Sequence, residues 1–106
     1  MKPTQGATEL SKAAEHAADF LRTLAHPARL RMVCALLEGE LTAGELALRA
    51  GLRAPALSQQ ATVLESGGLL SRRRDARSVR YSLASPAVRA QAKLLHRLFC
   101  KPSARR

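Results

Sequence analysis

TAGELALRAGLRAPALSQQATVLESGGLL, residues 42–70, reads as two short helices joined by a tight turn. Thr42 followed by Glu45 has capping-box spacing: the hydroxyl takes a free amide of the first turn while the carboxylate returns to the amide of Thr42. Behind it Leu46, Ala47 and Ala50 recur at helical spacing, and Gly51 ends the helix because glycine enters the left-handed conformation without steric cost. Pro55 then falls in the first turn of a second helix, where its missing N–H is no loss. Leu57, Ala61 and Leu64 make that helix's inward stripe and Ser58, Gln59 and Gln60 its outward one, until Gly67 and Gly68 stop it. Exposed Ser and Gln suit base edges, since Gln can bond adenine through two atoms and Ser can bond either member of a pair. The pattern is a helix-turn-helix with the second helix as reader, and it predicts DNA contacts from Arg53, Pro55, Ala56, Ser58, Gln59, Gln60 and Thr62. Helix pairs joined by a glycine turn also occur in purely structural bundles, so the flanks have to be weighed with it.

Downstream, LLSRRRDARSVRYSL alternates with period two over Val79, Arg80, Tyr81, Ser82 and Leu83, which predicts an antiparallel hairpin over residues 70–83 with a polar tip. Arg72, Arg73, Arg74, Arg77 and Arg80 make it the densest charge cluster in the chain. A solvated basic hairpin is the plain account. Directly after a reader helix, a wing that follows the phosphate backbone or enters a minor groove is the better one, with Arg72, Arg74, Arg77 and Arg80 as its contacts. Tyr81 reads as a sheet residue rather than a stacking platform. Ser85 caps a last helix with Pro86 at its first position. That helix carries Val88, Ala92, Leu95 and Phe99 on one stripe, and Leu94 and Leu98 on an adjoining one. Two apolar stripes need two surfaces: one covers the core, and the other meets the first helix or the symmetry mate of a dimer.

Upstream, residues 1–7 read as a loose tail. Over residues 8–24 the set Leu10, Ala13, Ala14, Ala17, Ala18, Leu21 and Leu24 predicts a long Ala-rich helix, broken at His26-Pro27. A second helix over 27–38 places Leu30, Val33, Cys34 and Leu37 on its buried stripe. The chain is therefore mainly α with a small β-hairpin, one domain over 8–100 followed by a basic tail at 101–106.

A formal charge of +10 favours a polyanionic partner, because each phosphate neutralised by Lys or Arg releases condensed counterions. No apolar run approaches the ~20 residues needed to span a bilayer, and MKPTQGATEL lacks the apolar core of a signal peptide, so the expected place is the cytoplasm and no membrane is expected as partner. No glycine-rich phosphate loop, paired carboxylates or nucleophile elbow appears, so an enzyme is not expected. In a reducing compartment Cys34 and Cys100 are expected as thiols rather than a permanent bridge. His16, His26 and His96 are scattered, read as capping or surface groups, and with the cysteines supply no recognisable zinc set, so neither metal nor cofactor is expected.

LAHPARLRMVCALLEGEL at 24–41, GELALRAGLRAPALSQQ at 44–60 and GGLLSRRRDARSVRYSL at 67–83, with the end of the last helix, resemble the ArsR/SmtB family of small dimeric repressors. The resemblance covers most of the chain, and HPARL and PALSQQ are its most specific blocks. It implies a winged helix-turn-helix in the order helix, helix, helix, helix, strand, strand, helix, forming a homodimer through the first and last helices on double-stranded operator DNA. The family's metal-sensing members carry cysteines where this chain has Thr42-Ala43-Gly44-Glu45-Leu46, and the last helix offers only His96. Ala54 stands before Pro55 where a better capping residue is usual, and Ala61 where a larger apolar side chain is usual.

The nearer likeness is to the family's thiol-based subgroup, which responds to persulfide or sulfide. Cys34, ahead of an LLEGE turn, and Cys100, ending an LFC sequence, fall on that subgroup's two cysteine positions. The resemblance implies that reactive sulfur species or oxidants join them by a disulfide or polysulfide bridge and release the operator. Two further readings stand beside it: a metalloid- or metal-responsive repressor, and an architectural DNA-binding protein that senses nothing. Free Cys also packs commonly as a small hydrophobe.

Overall fold

In the computed structural model, residues 3–100 are described, with side chains from Thr8 to Phe99. The first helix, α1 (Pro3–Leu24), starts before the expected residue 8, because a proline in the first turn forfeits no helical hydrogen bond. Residues 1, 2 and 101–106, which include the expected basic tail, lie outside the described part of the chain. His26 ends the break after α1 and caps α2 (Pro27–Ala35): its Nδ1 accepts from the Ala28 N–H at 3.2 Å. The chain then tightens into a 3-10 turn, Leu36–Glu38, so the regular helix is shorter than expected. Ala28, Met32, Val33 and Leu36 are buried, whereas Leu30, Cys34 and Leu37 are half-buried. Of the predicted stripe only Val33 is a core residue; Cys34 borders a hollow instead.

The short strand β1 (Leu41–Thr42) leads into α3 (Ala43–Ala50), a turn, and α4 (Ala54–Ser66). Both halves of the capping box are present: the Glu45 N–H donates to Thr42 Oγ1 at 3.1 Å, and the Thr42 N–H donates to Glu45 Oε1 at 2.9 Å. Gly51 closes α3 at φ +68°, which lets the Leu52 N–H reach the Ala47 carbonyl at 2.9 Å. The cap of α4 is Arg53, not Ala54, and it supplies no side-chain bond. β2 (Leu70–Asp75) and β3 (Ser78–Leu83) form the expected hairpin, with Leu70 opposite Leu83 and Arg72 opposite Tyr81. β1 adds an antiparallel third strand outside β3, pairing Leu41 with Tyr81. Two residues are too short to show alternation, which is why the sequence did not announce it. α5 (Pro86–Leu95), capped by Ser85, continues into a wide turn, His96–Cys100.

One core joins these elements: Met32, Val33, Leu36, Leu46, Ala50, Leu57, Ala61, Leu64, Leu69, Tyr81 and Ala92 are all buried. α1 stands largely outside it. Only Leu24 of its apolar set is buried, and Leu10 and Leu21 are 71% and 59% exposed. Leu98 and Phe99 are exposed as well, and the radius of gyration of 16.0 Å exceeds the ~13 Å expected of a compact 100-residue domain. The first and last helices thus carry apolar surface that the single chain leaves uncovered.

The end of α4 abuts α1. A Cβ on Gly67 would stand 2.9 Å from Thr23 Cγ2, and the Thr23 side chain is held by a 3.0 Å bond from its Oγ1 to the Asp19 carbonyl. Gly67→Ala is expected to destabilise the protein by ~1–3 kcal/mol in urea unfolding, as overpacking does. Thr23→Ala in the same chain should restore most of that loss, since it removes both crowding atoms.

Candidate nucleic-acid interface and thiol hollow

α4 is held by Leu57, Ala61 and Leu64, all buried, and so presents Pro55, Ser58, Gln59, Thr62 and Val63 to solvent. Arg53 is exposed at the head of the helix, while Ala56 is half-buried. Thr62 Oγ1 donates to the Ser58 carbonyl at 3.0 Å, which leaves the Ser58 hydroxyl and the Gln59 amide as the outward polar groups. Gln60 is different from the expected reader. It is half-buried, and its Oε1 accepts from Arg29 Nε at 2.8 Å, while Arg29 Nη1 donates to the Thr23 carbonyl at 2.9 Å. The amide that seemed available for a base is tied to α1 and α2.

The wing sorts its arginines by partner. Arg73 makes a bidentate bond to Glu40 at 2.7 and 3.0 Å, pinning β2 to the segment before β1. Opposite it, Arg80 pairs with Asp75 at 3.1 Å, and Arg72 lies 3.4 Å from Glu65 of α4. Arg74 and Arg77 are exposed and make no ion pair among the described residues. The turn between the strands holds Ala76 at φ +54°, a conformation that glycine adopts more easily. Tyr81 is buried in the sheet, as expected, and the loss of solvent holds its phenol above the usual range.

Cys34 opens onto two adjoining hollows of about 360 and 450 Å³. Arg31, Arg49, Glu38 and His96 line the first; Arg89, Lys93, Arg97, Glu38 and His96 line the second. Arg31 Nε donates to the Ala50 carbonyl at 2.7 Å, Arg89 Nη1 to the Leu37 carbonyl at 2.8 Å, and Arg49 Nη1 to Glu38 Oε1 at 2.9 Å. His96 begins the turn that Cys100 ends, and the Cys100 side chain lies outside the described residues. Among the described residues no three His, Cys, Asp or Glu side chains gather as a metal set.

Residues 26–72 match the family described as "Bacterial regulatory protein, arsR family". The biofilm growth-associated repressor of Agrobacterium fabrum is 41% identical over 93 residues, spanning 88% of this chain and 80% of that protein. The chain belongs to the ArsR family. The structure of reduced HlyU from Vibrio cholerae, 41% identical, superposes with a TM-score of 0.83 over 88% of this chain and 98% of that one. The repressor BigR from Xylella fastidiosa, 37% identical, superposes at 0.79 over 90% and 97%. The ArsR chain is accordingly a DNA-binding transcriptional regulator with a winged helix-turn-helix fold, and not an enzyme. No described helix is long and apolar enough to cross a membrane.

Within this ArsR regulator, sequence reasoning missed Arg29 as the residue that positions Gln60, and the basic lining around Cys34. The lining comes from α2, α3, α5 and the final turn, so no local spacing could have announced it. The pairing of Glu40 with Arg73 has a consequence for pH. The Arg73 guanidinium holds the Glu40 carboxyl below its ordinary 4.5, and the Thr42 amide and hydroxyl do the same for Glu45. Because folding lowers both values, their contribution is whole above the ordinary value and fades as pH falls through the folded one. Glu40→Gln is therefore expected to lose less stability than the parent between about pH 6 and about pH 3 in urea melts, with the two unfolding curves converging in acid.

Proposed function

We propose that this ArsR-family chain is a homodimeric repressor of the cytoplasm that grips operator DNA through α4 and the wing, and lets go when Cys34 and Cys100 react with persulfide or sulfide-derived species. The observation that carries the reading is the position of Cys34. It lies on the outer side of α2, beside the turn that carries Cys100, and α2 is the helix whose Arg29 holds Gln60 of the reader helix α4. A covalent change at Cys34 therefore acts on the element that orients α4.

The uncovered apolar faces of α1 and of the segment following α5 supply the dimer contact. Two α4 helices related by a two-fold axis then address half-sites about one helical turn apart, ~34 Å. Ser58 and Gln59 read base edges. Arg53, Arg74 and Arg77 meet phosphates, joined by Arg72 and Arg80 when DNA draws them from their carboxylates. Pro55, Ala56 and Thr62 shape the contact surface, and Gln60 acts as a brace.

The chemistry balances without an outside oxidant. A persulfide R–S–SH gives its terminal sulfur to a cysteine thiol and leaves as R–SH, and two persulfidated cysteines condense to a trisulfide with release of H₂S. Each added sulfur lengthens the link by up to ~2 Å, which relaxes the Cα separation of ~4.4–6.8 Å that a direct disulfide requires. Distance thereby supplies one basis for selectivity between persulfide and peroxide.

Reduced protein is expected to bind operator tightly, and persulfide-treated protein ~5–150-fold more weakly, the range of ordinary allosteric coupling. Cys34→Ser should bind as well as the parent and ignore the reagent. Fluorescence anisotropy reads the affinity and intact-mass spectrometry the bridge; equal affinity before and after complete modification would leave the protein architectural. For the DNA contacts, the Arg74→Ala/Arg77→Ala protein should reduce the slope of log K against log salt by about 1.8 per protomer bound, at ~0.9 per phosphate contact. Gln59→Ala should leave that slope alone and narrow the gap between operator and altered operator by ~1–3 kcal/mol.

A further inference from the structure

We propose that the basic hollow over Cys34 is a receptor for anionic sulfur donors, drawing hydropolysulfide ions and carboxylate-bearing persulfides to the thiol in preference to neutral oxidants. The inference rests on the thiol-sensing reading and specifies which reagents that thiol meets. Five cations, Arg31, Arg49, Arg89, Lys93 and Arg97, line the two hollows against one carboxylate, Glu38. Glu38 is already engaged by Arg49 at 2.9 Å. Arg31 and Arg89 are each held by a backbone carbonyl, a bond that fixes the guanidinium but leaves its charge uncancelled and its other N–H donors available. Lys93 and Arg97 are exposed and make no ion pair among the described residues.

This charge is not accounted for by DNA. None of the lining residues belongs to α4 or to the wing, the two elements that face nucleic acid in the reading above. The hollows, at about 360 and 450 Å³, are of the size that takes a small molecule rather than a macromolecule. A concave surface with an excess of one charge raises the local concentration of oppositely charged reagents and their on-rates, by up to ~10–10³-fold, an advantage that salt removes. Hydrogen peroxide, being neutral, gains nothing from it. The step that follows is sulfur transfer: the Cys34 sulfur bonds the donor's terminal sulfur, the donor's S–S bond breaks, and the departing thiolate takes the electron pair and then the proton.

Paired alkylating reagents that differ in charge test the receptor apart from the sensor. In full-length Cys100→Ser protein, Cys34 is reacted with iodoacetate, an anion, and with iodoacetamide, which is neutral; peptide mass spectrometry follows both rates. The same chain unfolded in urea gives the intrinsic ratio of the two reagents. The folded protein at low salt should favour iodoacetate by about 10-fold or more over that reference, within the range for electrostatic focusing. The advantage should collapse in high salt and shrink in the Lys93→Glu protein, whose substituted side chain is exposed on α5, outside the segment assigned to the dimer contact. A folded ratio equal to the unfolded one, or a preference indifferent to both salt and charge reversal, overturns the receptor. Operator release by persulfide is measured separately on the parent protein. Release without anion preference removes the receptor and spares the sensor, whereas anion preference without release supports the receptor and removes the sensor.

Discussion

The guanidinium of Arg29 holds three helices to one another. From α2 it donates to the Thr23 carbonyl at the end of α1 and to the Gln60 side chain in the middle of α4. Hydrogen bonds from a charged donor are individually worth ~1.5–3 kcal/mol, more than most side-chain contacts, and this one is half-buried where water competes poorly. The angle at which α4 leaves the body is thereby fixed relative to α1. The close approach of Gly67 to Thr23 makes a second point of contact between the same two helices. α4 is thus tied to α1 at two places, through Gln60 in its middle and at Gly67 at its end.

Electrostatics divide the basic residues into those spent on the fold and those left over. Arg73 and Arg80 face each other across the hairpin, an arrangement of like charges that would oppose strand pairing if each did not have its own carboxylate, Glu40 and Asp75. Arg31 and Arg89 are bound to carbonyls at helix ends, where positive charge meets the negative end of the dipole. Arg74 and Arg77, by contrast, project from the hairpin tip with their charge uncommitted. Among the described residues the positive charge thus gathers in two separate places, one at the wing and one around Cys34.

The separation bears on the proposal that one small domain both binds DNA and senses at Cys34. α4 is buried on one side by Leu57, Ala61 and Leu64 and is open on the other, so binding of DNA needs no rearrangement of the core. Cys34 is on α2, which is packed against α3 and α4 and whose Met32 and Val33 are buried on its inward side. The outward side of α2, with the proposed sensor thiol, and the outward side of α4, with the proposed reader residues, share a core but no surface. That is the condition for a coupling carried by packing and by Arg29.

Residue order by itself determined the helix-turn-helix, its capping box, the left-handed glycine between its helices, and the basic hairpin, because each rests on contacts within a few residues along the chain. The inward faces of α3 and α4 were legible for the same reason: Leu46, Ala50, Leu57, Ala61 and Leu64 repeat with the helical period and are all buried. The tertiary structure alone decided that Cys34 borders a hollow rather than the core, since α2 turns Ala28, Met32 and Val33 inward and leaves Cys34 facing α3 and the final turn. It alone turned Gln60 from a reader into a brace, because its partner Arg29 comes from another helix and no spacing rule links them. The strand β1 and the gathering of cations from separate helices around one thiol are of the same kind. Local periodicity records which way a side chain faces on its own element, and only the packing of elements decides what it meets there.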